Sequence, residues 1–316
     1  WVGLWLFEVP LLRLFGANDA LLPLCLRYLI PVKFTVPFYP FSTLLSSFLR
    51  NDGNPALATK SVLFGGIFNV FGDYFFVFTL DMGILGAGLA TAMGVCMSVF
   101  MMLTHFRSPI NTMRFVEVAR LPEMFGKIAA NGFSSFIIDI AMGVLTMLFN
   151  RQIMRYLGSD ALAVYAVIVN ISTFVQCCAY GVGQAAQPII SQNFGAGRSD
   201  RVSRLLRYSL ISCAVIGAAW TAVGALPNGF IKLFMSPTAA VLAIAPEIMR
   251  IYAVSFLLLP YNVFSTYYFQ AMLRPGTSII ISVSRGIVIS GALIMLLPLI
   301  LGSNSVWFAM PISEAA

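Results

Sequence analysis

Charge is what this sequence has least of: only 10% of its 316 residues are Asp, Glu, Lys or Arg. Soluble chains carry about a quarter, so a water-facing surface for a globular domain of this length is excluded. Histidine is nearly absent as well. His105 stands alone at the end of an apolar run and offers little for acid–base chemistry. Cys25, Cys96, Cys177, Cys178 and Cys213 all lie inside apolar stretches, with no two at metal-ligand spacing. They read as small packing residues rather than a zinc site. No HExxH, GxSxG or Walker loop occurs, so no enzyme and no organic cofactor is expected. The net charge of +7 has no polar domain to sit on, which sets nucleic acid aside as a partner.

What the chain has in excess is apolar surface, at 59% of residues, best explained by segments whose outer faces meet lipid. Crossing about 30 Å of hydrocarbon takes about 20 helical residues. Apolar runs of that order fall at about 25–48, 61–80, 84–105, 128–149, 161–190, 208–226, 251–273 and 277–301. Shorter runs at 1–15 and from 306 onward read as two further crossings cut by the chain ends. The runs are continuous rather than alternating, which excludes barrel strands. The expected fold is therefore all-α and polytopic.

Basic residues mark every second connection, at 50–60, 107–127, 198–207 and 274. These loops are expected in the cytoplasm of a cell whose inner (plasma) membrane the chain crosses many times. Arg151 and Arg155 run against the pattern on the other side.

Sliding the chain against itself by 223 positions brings Arg27 onto Arg250, Pro37 onto Pro260, and Phe41, Ser42 and Thr43 onto Phe264, Ser265 and Thr266. Both copies lead into a Leu-Arg pair and a Gly-containing loop. This implies a parallel repeat of two bundles: residues 1–107, a cytoplasmic linker at 108–127, and residues 128–316. By the same shift the first bundle is expected to lack its first helices and the last helix its end. The whole protein would then have twelve helices in two six-helix halves, about eight of them complete here.

A carboxylate at mid-membrane costs about 2.5–3.5 kcal/mol on insertion scales, and such groups mark function. Asp73 and Asp139 lie centrally in their runs. Asn69 precedes Asp73 by four residues and shares its helix face, and Thr91 on the next run can add a hydroxyl. Such oxygens suit a proton or a hard cation. The alternative is a protonated Asp73 that serves packing alone. Asp139 has few polar neighbours in its own run, so its partners are expected from Gln176, Gln184 or Asn262. The run 161–190 also carries Asn170, Tyr180, Gln187, Gly181, Gly183 and Pro188, the make-up of a bent helix beside a cavity.

Four segments carry a family resemblance: FLRNDGNPALA, GIFNVFGDYFFVFTLDMGILGAGLATAMG, GQAAQPIISQNFGAGRSDRV and SVSRGIVISGALIMLLPLILG. The chain resembles, end to end, the multidrug and toxic compound extrusion (MATE) transporters. The resemblance implies export of amphipathic, mostly cationic small molecules across the bilayer in exchange for protons or sodium. It places Asn69, Asp73 and Thr91 in the first-half ion site, where sodium is the one metal ion implied. Asp139 is similar in placement to an acid of the seventh helix that matters in other branches. Their partner acid is absent from PYNVFSTYYFQ, where Asn262 is the polar candidate, and this favours coupling through the first half. A monomer is expected. The alternative within the superfamily is a lipid-linked oligosaccharide flippase, which needs cavity cations for phosphate. Lys33 and Arg285 are the candidates for that role.

Overall fold

The computed structural model describes residues 1–316 except 15–18, 115–119, 227–230 and 233–236. Among the described residues every regular element is helical. The helices gather into two units, residues 1–117 and 118–316.

The first unit holds α1 (Val2–Leu6), α2 (Glu8–Leu14), α3 (Leu22–Thr35), α4 (Phe38–Asn51), α5 (Pro55–Tyr74) and α6 (Gly83–Leu103). A π-helical turn, Phe75–Thr79, extends α5, and a 3₁₀ turn, Thr104–Arg107, ends α6. The run read as 25–48 is thus two helices, interrupted where Pro37 cannot donate a backbone N–H. The Asn54 side chain caps α5 by accepting from Leu57 N, and Pro55 takes the first helical position, where its missing N–H costs nothing. α6 is the hub of the unit, packing against α3, α4 and α5. Its buried Gly86, Gly88, Ala90, Ala92 and Gly94 let the backbones close in. A Cβ on Gly65 would stand 1.8 Å from Ser98 Oγ and 2.4 Å from the Gly94 carbonyl. One on Gly88 would stand 2.4 Å from the Tyr28 carbonyl. These close approaches seat α5 and α3 against α6.

The second unit holds α7 (Leu121–Tyr156), α8 (Ser159–Gly195), α9 (Ser199–Gly224), α10 (Ala239–Ala253), α11 (Ser255–Ala271), α12 (Pro275–Val283), α13 (Ser290–Leu301) and α14 (Ala309–Ala315). A π segment, Ser284–Ile289, joins α12 to α13, and a 3₁₀ segment, Ser303–Phe308, leads into α14. α7 begins at Leu121, so residues 121–127 extend a helix rather than a linker. α8 runs unbroken for 37 residues through Pro188, and Gly183 serves close packing there: a Cβ would meet the Tyr267 ring at 2.4 Å. The core gathers Phe149, Tyr165, Tyr252 and Trp307, with Phe149 stacked on Tyr165 at 4.9 Å.

The two units close corresponding helices in the same way. Gly53 (φ 78°) ends α4 with Asn54 N bonded to the Leu49 carbonyl, and Leu273 (φ 55°) ends α11 with Arg274 N bonded to the Phe269 carbonyl. Pro55 and Pro275 then open the next helices. The repeat differs elsewhere. The first unit breaks at residues 36–37, whereas the second breaks at Val254 and carries Pro260 inside α11.

Six helices among the described residues are long and apolar enough to cross a membrane, including Pro55–Thr79, Gly83–Arg107 and Ser159–Gly195. α3 and α4, at 14 residues each, are too short singly. The fold is all-α and polytopic.

Candidate functional site

In the first unit two of the three expected residues, Asn69 and Thr91, meet directly. Asn69 Nδ2 donates to Thr91 Oγ1 at 3.3 Å, tying α5 to α6. Thr91 spends its one hydrogen on the Ala87 carbonyl at 3.0 Å. The Tyr28 hydroxyl, 3.3 Å from the same Oγ1, is therefore the donor of that pair. Asp73 follows one turn after Asn69, on the same face. Its Oδ1 is buried and accepts no hydrogen bond. Leaving a carboxylate oxygen dry and unbonded is costly, and a proton or a hard cation removes that cost. The Asp73 carboxylate and the Asn69 amide oxygen suit either, whereas the Thr91 hydroxyl is already committed to three hydrogen bonds and holds Asn69 in place. Lys33 on α3 does not supply the missing charge, since its Nζ is held at 2.8 Å by Glu8.

The second unit arranges its polar groups differently from the expectation. Gln176 Nε2 donates to the Tyr180 hydroxyl at 2.7 Å, and that hydroxyl donates to Asp139 Oδ1 at 3.3 Å. The two α8 residues share a face because they are four apart. Gln184 is half-buried further along α8. Asn262 is not a partner of Asp139: its Nδ2 donates to the backbone carbonyl and the carboxylate of Glu314, both at 2.8 Å.

Glu314 is the residue that sequence reasoning misses. Its side chain is fully shielded, and Arg285 Nε stands 3.0 Å from its Oε2. Arg285 sits in the π segment, and its backbone carbonyl accepts from side chains as well. Ser290 Oγ takes that carbonyl at 2.5 Å, and Ser313 Oγ lies 3.4 Å away. A signal for Glu314 exists, because the shift of 223 that brings Arg27 onto Arg250 also brings Thr91 onto Glu314. Beside the pair lies a cavity of about 40 Å³, lined in part by Ser172, Gln176, Tyr252, Ser282 and Arg285. It has room for ordered water.

A third cluster clips the ends of the first-unit helices. Asn54 Oδ1 is committed to Leu57 N, so its Nδ2 faces His105 Nδ1, at 3.1 Å, as a donor. Nδ1 is then the acceptor, and Nε2–H donates to Asp52 Oδ2 at 2.7 Å. Asp52 also accepts from Thr112 N at 3.0 Å and from the Thr112 hydroxyl. The Thr112 hydroxyl, followed by His105, holds the Asp52 carboxyl down at about 2. The ends of the helices that carry Asn69, Asp73 and Thr91 are thereby fastened to the start of the following segment. His105, which has no evident role in the sequence, is the centre of this clip.

A family model described as MatE matches residues 2–75 and 128–296. The multidrug export protein MepA of Staphylococcus saprophyticus is 25% identical over 297 residues, 93% of this chain and 65% of that protein. The chain therefore spans just under two thirds of that relative's length. Among solved structures, the outward-facing conformation of a multidrug resistance MATE family transporter of the MOP superfamily aligns with a TM-score of 0.86 at 20% identity. That alignment covers 96% of this chain and 68% of the other. A MOP superfamily transporter from Pyrococcus furiosus aligns at 0.87 and 18% identity, over 96% of this chain and 69% of the other. These likenesses establish the fold.

Proposed function

This chain belongs to the MatE family, and on that footing we propose that it is the transport core of a secondary antiporter. It exports amphipathic, mostly cationic small molecules across the cell membrane in exchange for protons or sodium ions. Asp73, Asn69 and Thr91 are its coupling site. The observation that carries this reading is the buried Asp73 Oδ1 without a hydrogen bond, one helical turn after the Asn69 that bonds Thr91. A coupling ion biases a two-state transporter only if the states bind it with different affinity. Closing dry protein around Asp73 is cheap once the carboxylate is neutralised and expensive while it is charged, and this supplies the difference.

The flippase reading loses its support. Lys33 and Arg285, the cations that would hold a phosphate, are each neutralised by a carboxylate, Glu8 and Glu314. Asp139, bonded to Tyr180, is a second-unit acid of subordinate role. The basic loops at 50–60, 107–127, 198–207 and 274 face the cytoplasm in this reading, and the protein works as a monomer.

The test is Asp73→Asn in the full-length transporter, reconstituted in vesicles at equal protein level and driven separately by a pH or a sodium gradient. Loss of export under whichever gradient drives the parent is expected, with binding of neutral ligands retained. Export at the parental rate removes Asp73 from the mechanism.

A further inference from the structure

At the end of the second unit where α8 begins, far along that helix from the Arg198–Arg207 loop, lies a bowl of about 230 Å³ that none of the sites above uses. Its floor is apolar: Ala161 of α8, Ile248 of α10 and Trp307 of the 3₁₀ segment, each at most 7% exposed. Its rim is different in kind, with the polar Glu247 and Asn304 and the exposed ring of Phe308. Among the described residues Glu247 takes part in no ion pair and no Lys or Arg lines the bowl. An apolar basin with one carboxylate, one amide and one accessible aromatic ring has the composition of a small-molecule site. Its charge selects the ligand. An anion is repelled by the Glu247 carboxylate, whereas a cation is attracted by it and by an aromatic ring such as that of Phe308.

Glu247 is exposed on α10, eight residues after Ala239, so its carboxylate is open to an incoming ligand.

We propose that this bowl is a peripheral binding pocket for a substituted ammonium group, with Glu247 as counter-charge, Phe308 as the ring over the cation, and the Ala161–Ile248–Trp307 floor under its apolar part. The pocket deepens the export reading, on which it rests for the side of the membrane it faces. With the basic loops inside, it opens outward, where an expelled organic cation leaves and where ammonium-bearing lipid headgroups also lie.

The experiment uses full-length transporter carrying Asp73→Asn, so that the first-unit carboxylate does not contribute, in nanodiscs of phosphatidylglycerol alone. Equilibrium binding of radiolabelled tetraethylammonium is measured. Glu247→Gln is expected to raise Kd about tenfold and Phe308→Ala severalfold, with Glu247→Asp in between and melting unchanged for all three. Both substituted side chains are on the rim rather than in the core, so folding is not at stake. Repeating the titration in phosphatidylcholine assigns the source. An apparent Kd that rises only where Glu247 is intact means that headgroups compete for the pocket, and an unchanged Kd means that it serves solutes. Tetraethylammonium binding by Glu247→Gln and Phe308→Ala at the parental affinity overturns the proposal. The export reading fails by a separate route, parental export by Asp73→Asn, which leaves the Glu247 effect standing.

Discussion

Arg285 and Glu314 lie 29 residues apart and meet at 3.0 Å, with the Glu314 side chain wholly shielded from solvent. Each charge is there only because the other is. Removing one member of such a pair costs about 3–5 kcal/mol, while replacing both with apolar residues is often neutral. Glu314→Gln should therefore lower the melting temperature of the purified transporter sharply. The double variant Arg285→Met, Glu314→Leu should recover most of the loss. Equal melting of the single and double variants would show that the pair is not coupled.

Gly65→Ala tests the seam that brings Asn69 to Thr91. The added methyl group would overlap Ser98 Oγ and the Gly94 carbonyl, and overpacking of this kind costs about 1–3 kcal/mol. Reduced folded yield and weakened coupling are expected together, because Asn69 lies one turn from Gly65. Size-exclusion recovery and gradient-driven export in the same preparation give the answer. Unchanged values for both would mean that α5 and α6 have slack there.

Thr91 is an acceptor for Asn69 and Tyr28 and a donor to Ala87. Thr91→Ser keeps the oxygen and should export as the parent does. Thr91→Val keeps the shape, leaves two donors unpaired at about 1–3 kcal/mol each where buried, and should cut export more than it lowers melting. If serine and valine behave alike, the hydroxyl is not part of the site.

Asp52 carries the pH prediction. Its carboxyl is held near 2 in the folded protein, below the ordinary value of about 3.9. A lowered folded value means that its stabilising contribution is complete above the ordinary value and is lost as pH falls toward 2. Asp52→Asn should therefore melt lower than the parent at neutral pH and converge with it on acidification. A gap that stays constant from pH 7 to the lowest pH at which the protein folds would exclude the linkage.

Helix existence was legible because it depends on local spacing. Continuous apolar runs have no alternative to helix in lipid. Asn69 and Asp73 share a face by their four-residue interval, and the small residues of GAGLAT announce a close helix contact. The repeat was legible at the loops, where Gly53 and Leu273 end their helices alike, and less so at the breaks, where Pro37 and Val254 do not correspond.

Partner choice among buried polar groups belongs to tertiary structure. Asn262 had two carboxylates to choose from and went to Glu314, 52 residues away, while Asp139 went to Tyr180, 41 residues away. The buried His105 was inconspicuous in sequence because its partners, Asp52 and Asn54, precede it by some fifty residues. Composition, hydropathy and helical periodicity determined that this is a many-helix membrane protein with a carboxylate to neutralise, since those are properties of one chain segment against lipid. Which charge neutralises which was decided only when α11, the π segment and α14 packed together. In a medium without water each buried polar group takes the nearest partner in space, and spatial neighbours are set by helix packing rather than by sequence spacing.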